Sequence, residues 1–202
     1  MEDVILVPSV NVPGRIWKLN KQEIFRNHHL IKANGTVALA KRYEYPEDYK
    51  NGLKGLAIAG ALGFGPDVYD YFTLEDGNYI VYEKYTGPNL EELLEANPLS
   101  WNNLDLIVNL LLRARELLSA AHDKGLLHND PNLSNFIVHG DHLKLIDFDV
   151  SEYAGNVSSQ TAIGWKQDNW EEFYSEIRRL YEDHPNRELS EELFKRSGEL
   201  ME

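Results

Sequence analysis

Cysteine is absent from the 202-residue sequence, which excludes disulfides and thiolate metal sites. Long apolar runs are absent too: none approaches the ~20 residues that a membrane-spanning helix needs, so no membrane insertion is expected. The opening decapeptide, MEDVILVPSV, is acidic and soon meets Pro8. It lacks the basic start and extended apolar stretch of a signal peptide, so a cytoplasmic location is expected. Positive charge is scarce. Against 33 Asp and Glu stand 20 Lys and Arg, and the net charge of -13 repels phosphate backbones and anionic headgroups. Direct nucleic-acid binding is therefore not expected, and a basic peptide or protein surface is the better partner. There is no internal repeat and no low-complexity tract. With 43% hydrophobic residues the chain can bury a real core, in one domain that has room for two lobes.

The first half reads mostly as strands. Ile16 to Leu19, Ile24 to Ala33 and Thr36 to Tyr43 are rich in β-formers and separated by polar turns, with Asn34-Gly35 a strong hairpin signal. After Pro46, Leu53, Leu56, Ala57 and Gly60 recur at helical spacing until Gly63-Phe64-Gly65-Pro66. Val68 to Thr73 and Tyr79 to Tyr85 form a second hairpin. The expectation is an antiparallel five-stranded sheet with one helix over residues 1–85, then a joint at Thr86-Gly87-Pro88. Residues 86–202 turn helical. Asn89 to Ala96 is a short acidic helix, and Leu104, Ile107, Val108, Leu111, Leu118 and Ala121 stripe a long one that Gly125 closes. Residues 150 to 167 are polar and aperiodic. Trp170, Phe173, Tyr174, Ile177, Leu180 and Tyr181 mark another helix, with Asp168 and Glu171 as a capping box at its start, and a last short helix begins near Ser190.

Charged and amide groups concentrate in LLHNDPNLSNFIVHGDHLKLIDFDV, residues 126 to 150. Phe136-Ile137-Val138 and Leu143-Lys144-Leu145-Ile146 flank His139-Gly140-Asp141, which predicts a β-hairpin. Pairing outward from its turn sets Asn135 opposite Leu145 or Ile146 and leaves Asp147 beside it. An amide oxygen and a carboxylate on adjacent strands are hard donors that suit Mg²⁺. Asp130 reaches the same pocket from the Pro131-containing loop without coordinating the metal.

His128-x-Asp130-x4-Asn135 followed by Asp147-Phe148 resembles the catalytic loop and metal motif of the protein-kinase superfamily, and the two aspartates lie 17 positions apart, within that family's usual range. The resemblance implies an α+β, two-lobed kinase-like fold with a short, mainly helical C-terminal lobe. It implies ATP and Mg²⁺ as cofactors, Asp130 as the base that orients the acceptor hydroxyl, Asn135 and Asp147 as metal ligands and His128 as a support. Val37-Ala38-Leu39-Ala40-Lys41 resembles the strand motif whose lysine touches the α- and β-phosphates, with Arg42 on the opposite face. By position, Glu83, Lys84 and Tyr85 offer backbone hydrogen bonds to adenine. Asp168 matches an aspartate that braces the catalytic loop; a plain N-cap is the other reading.

Departures narrow the resemblance. Asn20-Lys21-Gln22-Glu23 stands, without glycine, where a phosphate-covering glycine loop would be. The helix glutamate that pairs with the lysine falls near Gly52, with Glu44, Glu47 and Asp48 as substitutes. Asp149 replaces a glycine, Asn132 stands where many protein kinases carry lysine, and no A-P-E follows. Such features are similar to small atypical kinases: the RIO family, the kinase of the KEOPS tRNA-modification complex, bacterial Kdo kinases of lipopolysaccharide, or a compact effector kinase delivered into a host cell. The expected activity is transfer of the ATP γ-phosphoryl to a serine or threonine of a protein substrate. A small-molecule kinase of the sugar, aminoglycoside or choline type and a pseudokinase scaffold are the alternatives. Ser151, Tyr153, Ser158, Ser159 and Thr161 read as polar loop residues that phosphorylation could order. Oligomeric state is not legible.

Overall fold

Among residues 4–25, 28–95, 104–182 and 195, which a computed structural model of the chain describes, two units separate: Met1–Tyr85 and Thr86–Glu202. In the first, the described residues form β1 (Val4–Pro8), β2 (Ile16–Phe25), β3 (His28–Ala33), β4 (Thr36–Tyr43), α1 (Pro46–Ala61), β5 (Val68–Leu74) and β6 (Gly77–Glu83). The strands make one antiparallel sheet in the order β1-β2-β3-β4-β6-β5. One face buries Val7, Trp17, Leu19, Ile31, Ala33, Ala38, Ala40, Phe72, Tyr79 and Val81. Alternation sends Leu39, Lys41 and Tyr43 to the other face, where the ring of Tyr43 meets α1 at Gly52.

This sheet has six described strands where the sequence predicts five. β1 is short, ends in proline and carries no local signal of its own; its place comes from residues far along the chain. Asp70 on β5 is fully buried. It accepts from Trp17 Nε1 at 2.8 Å through Oδ2 and from the backbone N–H groups of Val10, Asn11 and Tyr71 at 3.0, 3.3 and 2.9 Å through Oδ1. The carboxylate thus ties the β1–β2 connection to the core.

The second difference lies at Asn20 to Glu23, where the sequence predicts a turn. β2 runs through these residues, and the register shifts from Asn20↔Leu30 to Ile24↔His29, so Lys21, Gln22 and Glu23 bulge out of the ladder. Asn20 Oδ1 accepts from Gln22 N at 3.0 Å, a local turn inside a continuing strand. At the β3–β4 hairpin both Asn34 and Gly35 take positive φ, as their types favour.

The second unit corrects the mainly helical expectation, since helices and strands are mixed in it. α2 (Leu90–Glu95) starts with a reciprocal box: Glu92 N donates to Asn89 Oδ1 at 2.6 Å and Asn89 N to Glu92 Oε2 at 3.0 Å. α3 (Leu104–Asp123) buries Ile107, Leu111, Ala114, Leu118 and Ala121 along one stripe. β7 (Leu126–Leu127) pairs with β10 (Glu152–Tyr153), and β8 (Phe136–His139) pairs with β9 (His142–Leu145) across Gly140 at φ +59. α4 covers Ser159–Glu182 and so begins nine residues before Asp168. Its cap is Ser158, whose Oγ accepts from Thr161 N at 3.1 Å. Ala96 and the helix expected near Ser190 lie outside the described residues. No described helix is long and apolar enough to cross a membrane.

Asp70 gives a test of the first unit. Burial raises its pKa, but the hydrogen bonds from Ser9, Trp17, Tyr71 and Val10 outweigh burial and hold the carboxyl below its usual range. A depressed carboxyl stabilises the fold above its unfolded pKa and loses that contribution as pH falls. Asp70→Asn sets an amide against backbone donors and is expected to cost about 2–3 kcal/mol at pH 7 in urea unfolding. The gap from wild type should begin to narrow as pH falls below the unfolded carboxyl's range, about 4, and close once the depressed native carboxyl protonates. A gap independent of pH would contradict this role.

Candidate active site

The loop from His128 to Asn135 is held at both ends. His128 is fully buried, its Nε2–H donates to Ile146 O at 2.8 Å, and its ring meets Phe148 edge-on at 4.9 Å. Burial lowers its pKa, so the ring is a neutral support. Ile146 is gripped a second time, because its N–H donates to Asn135 O at 3.0 Å. Asp147 follows at φ +62, between the clamped Ile146 and the buried Phe148. Asn129 also takes positive φ, +61. Both belong to types that tolerate this region, and unusual backbone at a polar cluster is a common mark of functional sites.

Within this unit Asp130 and Asn135 are in contact. Asn135 donates its side-chain amide to Asp130 O at 2.8 Å and to Asp130 Oδ2 at 3.0 Å. Both partners are acceptors, so Nδ2 must face them, and Oδ1 is the atom left to accept or coordinate. Asp130 Oδ1 in turn accepts from Asn132 Nδ2 at 2.6 Å, and Asn132 Oδ1 accepts from the Ser134 hydroxyl. Leu133–Asn135 form a 3-10 turn with Leu133 and Asn135 buried, and Pro131 is buried ahead of it. The donor types, one amide oxygen and the carboxylate of exposed Asp147, which follows the Ile146 that is bonded to Asn135, fit Mg²⁺, which keeps water and phosphate oxygens around a few protein ligands.

Beneath the loop sits a residue the sequence reading passed over. Asp168 is exposed in the middle of α4 and is neither cap nor brace. Its neighbour Asn169, 1% exposed, does the bracing. Asn169 Oδ1 accepts from Asn129 N at 3.0 Å and from His122 Nε2 at 3.3 Å. Its Nδ2 donates to Asn129 Oδ1 at 2.9 Å and Trp165 O at 2.8 Å. Asn129 Nδ2 carries the link on to Val150 O at 3.1 Å. The available signal was an asparagine on the apolar stripe Ala162, Trp165, Asn169, Phe173, Ile177.

The first unit places Lys41 on β4, paired with Ile80 on β6, with its ammonium 5.6 Å from the centroid of Tyr43. A Cβ on Gly52 would come 2.5 Å from Tyr43 Oη, so the phenol occupies the space a helix side chain would need at that position. Glu83 ends β6 and gives its N–H to Asp67 O at 2.9 Å, while Tyr85 is buried and donates its hydroxyl to Gly65 O at 2.9 Å. Burial raises the Tyr85 phenol's pKa well above its ordinary value.

No family model matches the chain. Over 103 residues, 43% of this chain and 30% of the relative, it is 26% identical to a protein of Invertebrate iridescent virus 3 called "Putative serine/threonine-protein kinase 040L". Over 143 residues, 70% of this chain and 46% of the relative, it is 27% identical to a Burkholderia cepacia protein called 2-hydroxy-6-oxo-6-phenylhexa-2,4-dienoate hydrolase. The matches span less than half the length of either relative. The sequence has no G-x-S-x-G elbow, so the hydrolase name brings no such nucleophile with it. The viral relative is a weak, partial likeness to a kinase, which hints at the protein-kinase-like superfamily and at no particular subfamily.

The brace under the loop makes stability depend on pH. Burial pulls the pKa of His122 down to about 4, partly opposed by its bond to Asn169. Between about pH 4 and 6.5 the unfolded chain binds a proton there that the native chain refuses, so stability falls as pH is lowered through that window, by up to about 3 kcal/mol. His122→Gln keeps a donor for Asn169 and removes the titration. In urea melts from pH 7.5 to 4.5, wild type should lose stability relative to this variant; parallel curves would contradict the assignment.

Proposed function

We propose that the protein is an atypical serine/threonine kinase that transfers the γ-phosphoryl of ATP to a protein hydroxyl, with Mg²⁺. The observation that carries this reading is the orientation of Asn135. With its amide nitrogen donating to Asp130 O and Oδ2, its side-chain oxygen is the atom left to coordinate, while Asp130 would be braced rather than used as a ligand. Asn135 and Asp147 would hold the metal. A magnesium ion bound there would neutralise charge on the nucleotide phosphates.

The chain's own groups do the rest. Asp130, fixed by two amides, would accept the proton of the acceptor hydroxyl and aim its oxygen. Lys41 would contact the α- and β-phosphates. Glu83 would offer its carbonyl to adenine, its N–H being given to Asp67, and Tyr85 would contribute its backbone. The net charge of -13 favours an acceptor hydroxyl in a basic protein segment. Support for the class comes from the likeness to the viral kinase and from the spacing of His128, Asp130, Asn135 and Asp147.

The test separates binding from transfer. Asp147→Ala should remove the Mg²⁺-dependent part of ATP affinity in titration calorimetry. Asp130→Ala should hold ATP affinity within about threefold while label transfer from γ-labelled ATP to a histone mixture drops about 100-fold or more. Equal ATP affinity of wild type and Asp147→Ala in Mg²⁺ would sink the metal assignment. Label on a small acceptor in a metabolite pool, and none on protein, would replace the protein substrate.

A further inference from the structure

We infer that Asn132 is a positioning residue for the base, and that Ser134, Asn132 and Asp130 form a relay setting the direction of Asp130's carboxylate; this rests on the phosphotransfer reading. Each oxygen of Asp130 already receives one amide N–H, Oδ2 from Asn135 and Oδ1 from Asn132 at 2.6 Å. A carboxylate held at one oxygen can still turn about its Cβ–Cγ bond. Held at both, it presents its remaining in-plane lone pairs in one direction. Asn135 alone cannot do this, because its amide is shared between Asp130 Oδ2 and the backbone oxygen of the same residue.

Asn132 is itself held for the task. Buried Pro131 precedes it and fully buried Leu133 follows it. Its backbone lies at φ -69 and ψ 159, extended, just ahead of the 3-10 turn. Its amide could otherwise flip and set an oxygen against Asp130. The Asp130 carboxylate only accepts and so selects Nδ2, and the Ser134 hydroxyl, donating to Oδ1, adds a second bond that holds the amide in that orientation. The relay is neutral. It orients Asp130 through amide and hydroxyl groups that carry no charge of their own.

A relay differs from a packing role in the pattern of its losses. Asn132→Ala should lower kcat for transfer to the histone mixture by about 10- to 100-fold, as for one hydrogen bond to a charged group, with the KM for ATP within about twofold. Asn132→Asp has the same shape but sets two carboxylates against each other, and should lose more than Asn132→Ala. Ser134→Ala should lose less, and nothing further on the Asn132→Ala background. In ¹H–¹⁵N spectra the Asn132 side-chain amide, assigned by its loss in Asn132→Asp, should shift in both Asp130→Ala and Ser134→Ala. That readout needs no turnover. Asn132 variants with wild-type kcat in an active chain, or additive losses in the double variant, would overturn the relay and leave the kinase reading standing. A wild-type chain that releases no ADP with any acceptor, and matches Asp130→Ala, would overturn both.

Discussion

The second unit depends on a grip at Ile146. Its N–H goes to Asn135 and its carbonyl takes the imidazole proton of His128, so one peptide residue joins the hairpin's inner strand to the loop that carries Asp130. A half-buried backbone unit bonded at both its N–H and its C=O has little freedom. Asp147 therefore inherits its position from its neighbour, and its left-handed backbone breaks the ladder that the strand would otherwise continue. Loosening that grip would scatter the three side chains on which the chemistry is proposed to rest.

Four asparagines surround this arrangement: 129, 132, 135 and 169. A primary amide donates and accepts in fixed directions and carries no net charge. Asn169 uses all of this capacity, with two groups donating to its oxygen and its nitrogen donating twice. A charged residue in the same buried place would incur desolvation, and a carboxylate would repel the carbonyl of Trp165 and the side-chain oxygen of Asn129. Neutral bracing by Asn169 avoids a charge at that buried place, while Asp130 is half-buried and Asp147 exposed.

Legibility followed locality. The hairpin at Gly140 fixed the register of Asn135 against Ile146 within a dozen residues, so spacing was enough to find it. Asn34-Gly35 was equally plain. Asn169 was not, because an acidic neighbour with a glutamate three residues on looks like a helix start, and only the Ser158 cap shows that the helix was already under way. β1 was hidden for a related reason: the group that secures its connection to β2, Asp70, lies some sixty residues away. Asn20 to Glu23 had the composition of a turn and made one, yet as a bulge inside a strand whose tertiary pairing carried it onward. Asn132 stood out only as a missing lysine until its amide was seen on Asp130.

Lys41 has a consequence for control. The aromatic ring beside its ammonium comes from Tyr43, two residues along the same strand, and that ring fills the gap left by Gly52 on α1. A cation and a ring carried by one β-strand keep their spacing whatever the adjoining helix does. A regulator that worked by swinging that helix in and out would find no ionic latch at Gly52 to open or close.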